Sequence, residues 1–206
     1  VVNPDKYIEK YGADTLRCYL MFLGPFYRGG DFRDTGIKGM YKFLVRVWRL
    51  VTPTPGLVPP DLENTNPGVG KDKQLYWQHK TIKRVESGLK RFKYNTSIAA
   101  LMEYVNFLQQ QKHCSKEAIK TLILLLAPFA PHLSEEFWQY VTVGSVPRIK
   151  GLHPFNSVHS QTWPKYDPKL IKEDKIDIVI QINGKLRDVI SIPAISESEK
   201  QSQSRQ

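Results

Sequence analysis

The 206-residue chain predicts a mainly α fold, a bundle of amphipathic helices followed by a short β-hairpin. Three observations predict it. From Gly36 to Val51, residues Ile37, Met40, Tyr41, Leu44, Val47, Trp48 and Val51 recur at the period of one helix face. Comparable stripes return along the chain, separated by capping residues, proline and glycine. Near the end the period changes to two. Ile176, Ile178, Ile180 and Ile182 alternate with Asp177, Val179 and Gln181 and run into Asn183-Gly184, a hairpin signal.

The elements follow in order. Asn3 or Asp5 caps a short first helix, with Pro4 near its first turn and Gly12 ending it. Asp14 caps a second helix that runs through Met21 and stops before Gly24-Pro25. A turn at Gly29-Gly30 leads to the helix over 36–51. Five prolines and three glycines in 52–70 predict a surface loop. Asp72 opens a long helix to about Phe92, with a narrow stripe of Leu75, Ile82, Val85, Leu89 and Phe92. Gly88 inside it costs about 1 kcal/mol relative to alanine.

Asn95-Thr96 caps the next helix, whose stripe is Ile98, Leu101, Met102, Val105 and Leu108. Ser115 caps another, with Glu117 in its first turn. Its residues Ile119, Leu122, Leu125 and Leu126 leave little polar surface, which predicts the most buried helix. Pro128 and Pro131 break it. A last helix spans roughly His132 to Val141. Residues 144–172 read as irregular. In the returning strand, Leu186, Ile190 and Ile192 hold even positions, as the isoleucines of the first strand do. Pairing even with even calls for a three-residue loop with a bulge and positive φ at Gly184. The row of isoleucines needs cover, because a bare apolar strand is prone to aggregate.

Charge sets the expected partner. Thirty Lys and Arg against twenty Asp and Glu give +10. Residues 36–93 hold twelve bases and four acids. On the 36–51 helix, Lys38, Lys42, Arg46 and Arg49 line the face opposite the core stripe, with no acid among them. Such a ridge suits a polyanion, and phosphate fits. Lys80, Lys83 and Arg84 form a second basic track on the long helix. The alternative is a helical protein-interaction module whose basic faces are merely solvated.

The function classes excluded are also informative. There is no Gly-rich phosphate loop, no Ser/His/Asp or Cys/His constellation and no paired catalytic carboxylates. The adjacent Glu135 and Glu136 diverge by about 100° on a helix and read as first-turn charges favoured by the helix dipole. No catalytic residue and no metal ligand set is expected, since the five histidines never pair at ligand spacing. Cys18 and Cys114 alone point to a reduced, cytoplasmic setting. No apolar run reaches 18 residues, so no membrane span is expected. Without an initiator methionine, the chain reads as a piece of something longer.

Several phrases resemble one family. Asn3-Pro4-Asp5 and Tyr11-Gly12-Ala13-Asp14-Thr15-Leu16-Arg17 resemble the segment after the signature lysine loop of class I aminoacyl-tRNA synthetases. Met21-Phe22-Leu23-Gly24-Pro25, Phe43-Leu44-Val45-Arg46-Val47-Trp48-Arg49-Leu50-Val51, Asn95-Thr96-Ser97-Ile98-Ala99-Ala100-Leu101-Met102-Glu103 and Leu126-Ala127-Pro128-Phe129-Ala130-Pro131-His132 are similar to leucyl-tRNA synthetases in particular. Phe32 stands where tryptophan is usual and keeps an aromatic anchor.

The resemblance implies a stem-contact-like segment at 1–35, an anticodon-binding-type helix bundle at 36–145, a linker at 146–172 and a truncated α/β C-terminal domain at 173–206. It implies tRNA(Leu) as partner, with Lys42 and Arg46 on the tRNA-facing helix and Lys185 and Arg187 of the hairpin added to the tRNA-binding set. ATP with Mg, protein biosynthesis, and the catalytic and editing domains belong to the longer enzyme it implies. No cofactor is expected in this piece. A cytoplasmic monomer is expected.

Overall fold

A computed structural model describes residues 3–25, 27–52, 71–111, 114–143, 156–171, 175–182 and 185–193. The loop expected over 52–70 falls almost wholly outside the described residues, as do residues 144–155. The chain divides into two compact units, Val1–Asp167 and Pro168–Gln206.

The first unit contains α1 (Asp5–Tyr11), α2 (Ala13–Phe22), α3 (Asp34–Val51), α4 (Lys71–Lys90), α5 (Tyr94–Gln109), α6 (Lys116–Leu126) and α7 (Pro131–Val143). A single 3₁₀ turn follows at Val158–Ser160. The helices agree with the sequence pattern to within one or two residues at most ends, the usual uncertainty of helix boundaries.

Gly12 both ends α1 and precedes α2, at φ 84° and ψ 154°. An L side chain is strained there, so glycine makes this abrupt junction possible. Phe32 is edge-on to both Tyr7 and Tyr19, with centroids 4.9 and 5.1 Å apart. The Tyr19 hydroxyl donates to the Arg33 carbonyl (2.9 Å) and accepts from the Arg33 N–H (2.8 Å), which fixes the entry to α3.

Two capping expectations are corrected. Asp14 does not cap its own helix. It is 6% exposed, and Oδ2 accepts from the Leu133 N–H at 2.6 Å, in the first turn of α7. The carboxylate satisfies an orphan donor 119 residues away. Asn95 and Thr96 do not cap α5, which starts at Tyr94 with Lys93 before it. The reason is how α4 ends. The Lys93 N–H reaches the Gly88 carbonyl (2.8 Å) and the Phe92 N–H reaches the Leu89 carbonyl (3.2 Å). This is a Schellman motif, with Phe92 at φ 54° in the position glycine usually takes. The Lys93 carbonyl then accepts from Ser97 N–H (3.1 Å) and already belongs to α5. No residue is left over for a side-chain cap. A left-handed phenylalanine costs roughly 1–2 kcal/mol relative to glycine.

Ser115 caps α6 as expected, its hydroxyl accepting from the Ala118 N–H at 3.1 Å. Seven of the eleven α6 residues are buried, so this helix is the centre of the core. It packs against α4, α5 and α7. Tyr104 of α5 is fully buried, and its hydroxyl reaches the Ala118 carbonyl at 3.4 Å. Burial holds its phenol neutral, far above the ordinary value.

The stripe on α3 is rotated from the one expected. Phe43 is buried with Ile37, Met40, Leu44, Val47 and Val51, whereas Tyr41 and Trp48 are 43% and 45% exposed. Residues 156–167 have little regular structure but are held in place. Val158 is buried, and the Asp167 N–H donates to His79 Nδ1 on α4 at 3.0 Å.

In the second unit, β1 (Lys175–Ile182) and β2 (Lys185–Pro193) pair antiparallel. Ile176 faces Ile192, Ile178 faces Ile190 and Ile180 faces Asp188, so even positions do meet even positions. The expected three-residue loop is corrected. Register shifts after Ile180, Gln181 faces Leu186 and Ile182 faces Lys185, leaving two residues between the strands. The extra residue that restores parity is Arg187, unpaired within β2, and so the bulge sits in the strand rather than the turn. Asn183 and Gly184, with the positive φ expected at Gly184, lie outside the described residues.

Candidate nucleic-acid interface

The basic ridge is built by helix geometry. At about 100° per residue, Lys38, Lys42, Arg46 and Arg49 span an arc of roughly 80° opposite the buried stripe of α3. Lys38, Lys42 and Arg49 are exposed, and none has a hydrogen-bond or ion-pair partner among the described residues. Arg46 differs. It is half-buried, its Nη1 donates to Asn106 Oδ1 on α5 at 2.6 Å, and its guanidinium lies 5.9 Å from the Phe43 ring centre. The ridge therefore comprises three free cations and one held in a fixed pose.

The second track has another character. Arg84 makes a two-pronged pair with Glu103 of α5, one arm at 3.0 Å and the other shorter. The hydrogen bond to Glu103 raises the Arg84 guanidinium above its ordinary value, and the reciprocal bond lowers the Glu103 carboxyl. Lys80 folds back on its own helix. Its ammonium reaches the Tyr76 hydroxyl at 2.7 Å and lies 5.0 and 5.5 Å from the Tyr76 and Trp77 ring centres. Lys83 is exposed, 6.0 Å from the Tyr166 ring centre. Lys80, Lys83 and Arg84 thus share a helix face but do not form a row of free charges. Lys185 and Arg187 lie on the backbone of β2. Their side chains fall outside the described residues.

Sequence reasoning missed two features. One is a cleft of about 560 Å³ beside the ridge, lined by Tyr11, Tyr41, Leu44, Trp48, Leu133 and Glu136. The position of Tyr41 and Trp48 at the margin of the apolar stripe was the only available signal for it. The other is Glu135. Its carboxylate accepts from the Ser157 hydroxyl (2.7 Å), the Val158 N–H (2.9 Å) and the Gln139 amide (2.7 Å). Burial pushes this carboxyl up, but the three hydrogen bonds outweigh it and leave the group below its ordinary value. The residue is a structural tether. No local pattern marks a contact to a segment 22 residues on.

The chain has relatives of known family. Residues 75–202 match the family model described as the anticodon-binding domain of tRNA ligase. The chain belongs to that family.

The matched stretch begins inside α4, so the ridge helix α3 precedes it. Curated relatives match the chain over almost its whole length. The leucine–tRNA ligase of Herpetosiphon aurantiacus is 40% identical over 205 residues, covering 96% of this chain and 23% of that protein. The leucine–tRNA ligase of Thermotoga maritima is 38% identical over 213 residues, covering 97% of this chain and 24% of that protein. The chain thus spans about a quarter of the length of the curated relatives it matches. Among solved structures, a LeuRS of Agrobacterium radiobacter K84, in a ternary complex with tRNA and LeuAMS, superposes with a TM-score of 0.66. That match has 28% identity and covers 99% of this chain and 26% of that one. The helical fold and its place among leucine–tRNA ligase relatives agree with what the sequence phrases imply.

Proposed function

We propose that this domain docks tRNA(Leu) within a leucine–tRNA ligase, whose ATP-dependent leucylation is carried out by catalytic and editing domains outside these residues. The observation that carries the reading is the α3 ridge, where Lys38, Lys42 and Arg49 stand exposed, without partners among the described residues, beside the fixed Arg46. Unpaired cations in line repel one another, and a phosphate backbone relieves that repulsion while releasing its own counterions. Contacts of this kind position an RNA without reading its sequence.

ATP and its magnesium ion are assigned on this reading to the longer enzyme, as the leucine–tRNA ligase relatives imply. The thiols of Cys18 and Cys114 are buried and unpaired, and burial pushes them up to about 12 and about 11. Two cysteines that form no disulfide suit a reducing compartment, and a cytoplasmic monomer is the form proposed.

The alternative, a protein-interaction module with solvated basic faces, draws support from α4, where Arg84 pairs with Glu103 and Lys90 with Glu86. The two readings separate in a filter-binding titration of tRNA against salt. A Lys38→Ala, Lys42→Ala, Arg49→Ala triple variant is expected to bind more weakly and to lose about 2–3 from the slope of log K against log salt. An unchanged slope establishes the solvated-face reading.

A further inference from the structure

We infer that Phe92, at the tip of the α4–α5 hairpin, is a stacking platform for an unpaired RNA base, a sequence-tolerant contact separate from the α3 ridge. This rests on the RNA-docking reading above and adds a second kind of contact to it.

Three observations converge on this residue. Its backbone is left-handed, at φ 54°, in the Schellman position that glycine normally fills. The hydrogen bonds of the motif come from backbone groups alone, so nothing in the turn requires a side chain at this place. Phe92 nevertheless keeps 62% of its surface in solvent, and its one aromatic contact among the described residues is edge-on to Tyr94 at 6.2 Å. The fold thus holds a strained, wet aromatic ring whose burial stabilises little. Strain kept at an exposed site points to a role with a partner.

The surroundings specify the partner. Arg91 and Lys93 flank Phe92, both exposed and without partners among the described residues, and Lys90, the last residue of α4 and two positions back, is paired with Glu86. A single ring ringed by cations offers too little apolar area for a protein interface. It does match the pattern by which single-stranded nucleic acid is held, with a π-face for the base and positive charge for the adjoining phosphates. Every base has a π-face, so the contact distinguishes unpaired from paired nucleotides rather than one base from another.

The test uses the full 206-residue chain with two probes: a tRNA transcript, and a blunt-ended RNA duplex of similar length without unpaired bases. Phe92→Gly is the informative substitution because glycine suits the left-handed position. It is expected to leave the melting temperature unchanged or raised, and to weaken transcript binding fivefold or more. Duplex binding should stay within twofold, and the salt slope should not change, because stacking releases no counterions. Phe92→Trp is expected to keep the affinity. Transcript binding by Phe92→Gly equal to that of the unmutated chain overturns the inference, as do equal losses on both probes. So does self-association of the free chain that disappears in Phe92→Gly, which would assign the ring to a protein contact. Failure of the unmutated chain to bind either RNA removes the docking reading and this inference together. Normal binding with an inert Phe92 removes the inference alone.

Discussion

Alanine at position 88 reverses the expectation that helix propensity alone provides. Gly88 lies inside α4, where propensity favours alanine by about 1 kcal/mol. An added Cβ would come within 2.1 Å of Ser97 Oγ on α5, 3.2 Å of the Lys93 carbonyl and 3.3 Å of Ser97 Cβ. Ser97 is fully buried, and its hydroxyl donates to the Val85 and Lys93 carbonyls, both at 3.3 Å. Turning it aside leaves a buried hydroxyl unpaired, at about 1–3 kcal/mol. The backbone carbonyl and Ser97 Cβ stay too close even then, and overpacking adds roughly another 1–3 kcal/mol. Against a gain of about 1 kcal/mol, Gly88→Ala should destabilise by about 2 kcal/mol, or roughly 4–8 °C in a unit of this size. Thermal unfolding followed by far-UV circular dichroism measures it. Adding Ser97→Ala removes the closest contact, and a double-mutant cycle should show the two changes coupled by about 1 kcal/mol in the stabilising direction. A raised melting temperature for Gly88→Ala alone would refute the argument from close helix approach.

Three further outcomes are expected. Glu135 and Glu103 both titrate below their ordinary 4.5, so the unfolded chain takes up their protons first; their stabilisation is complete above about pH 4.5 and disappears as pH falls through the folded values. Glu135→Gln should therefore flatten the acid limb of a stability-against-pH curve, and an unchanged limb would count against the tether. The chain should not catalyse leucine-dependent exchange of pyrophosphate into ATP, since adenylate formation needs groups that stabilise phosphate charge and no such motif is present; measurable exchange would disprove this. Deleting Pro168–Gln206 should preserve the cooperative melting of the helical unit, whose described core draws on residues 16–158; a broad, non-cooperative transition would join the two units into one core.

Periodicity made the helices legible, because each buries one face and that need is written at intervals of three and four residues. Ser115 could be read as a cap because its acceptor serves a donor three residues on. Asp14 could not, since its donor lies at Leu133. The false cap at Asn95-Thr96 has a related cause: the turn before α5 is closed by backbone bonds that leave no side-chain signature. On α3 the period gave the helix but not the rotation of its buried arc, which depends on the neighbours that cover Phe43 and leave Trp48 half-bare. Parity in the hairpin was legible from the isoleucines, whereas the choice between a longer loop and a bulge at Arg187 was not. For the basic residues, the pattern located the faces, but only tertiary contacts separate the free Lys38, Lys42 and Arg49 from the committed Arg84.

That separation has a consequence for how the surface attracts an anion. Asp14, Asp34, Glu86, Glu103 and Glu135 each hold a hydrogen bond or ion pair within the first unit, so these acids are spent on its joints. Arg84 is neutralised by one of them, and its face contributes less field than its sequence promises. Glu103→Gln should release it, since a neutral amide does not hold the guanidinium as a carboxylate does. If RNA follows both α3 and α4, this variant should bind tRNA severalfold more tightly and with a steeper salt slope, because one more cation becomes available to phosphate. If only the α3 ridge docks RNA, affinity and slope should stay as they are while stability changes by 1 kcal/mol or less, as for an exposed pair. Weaker binding in Glu103→Gln would contradict both, and would mean that the Arg84–Glu103 pair shapes the docking surface as a unit.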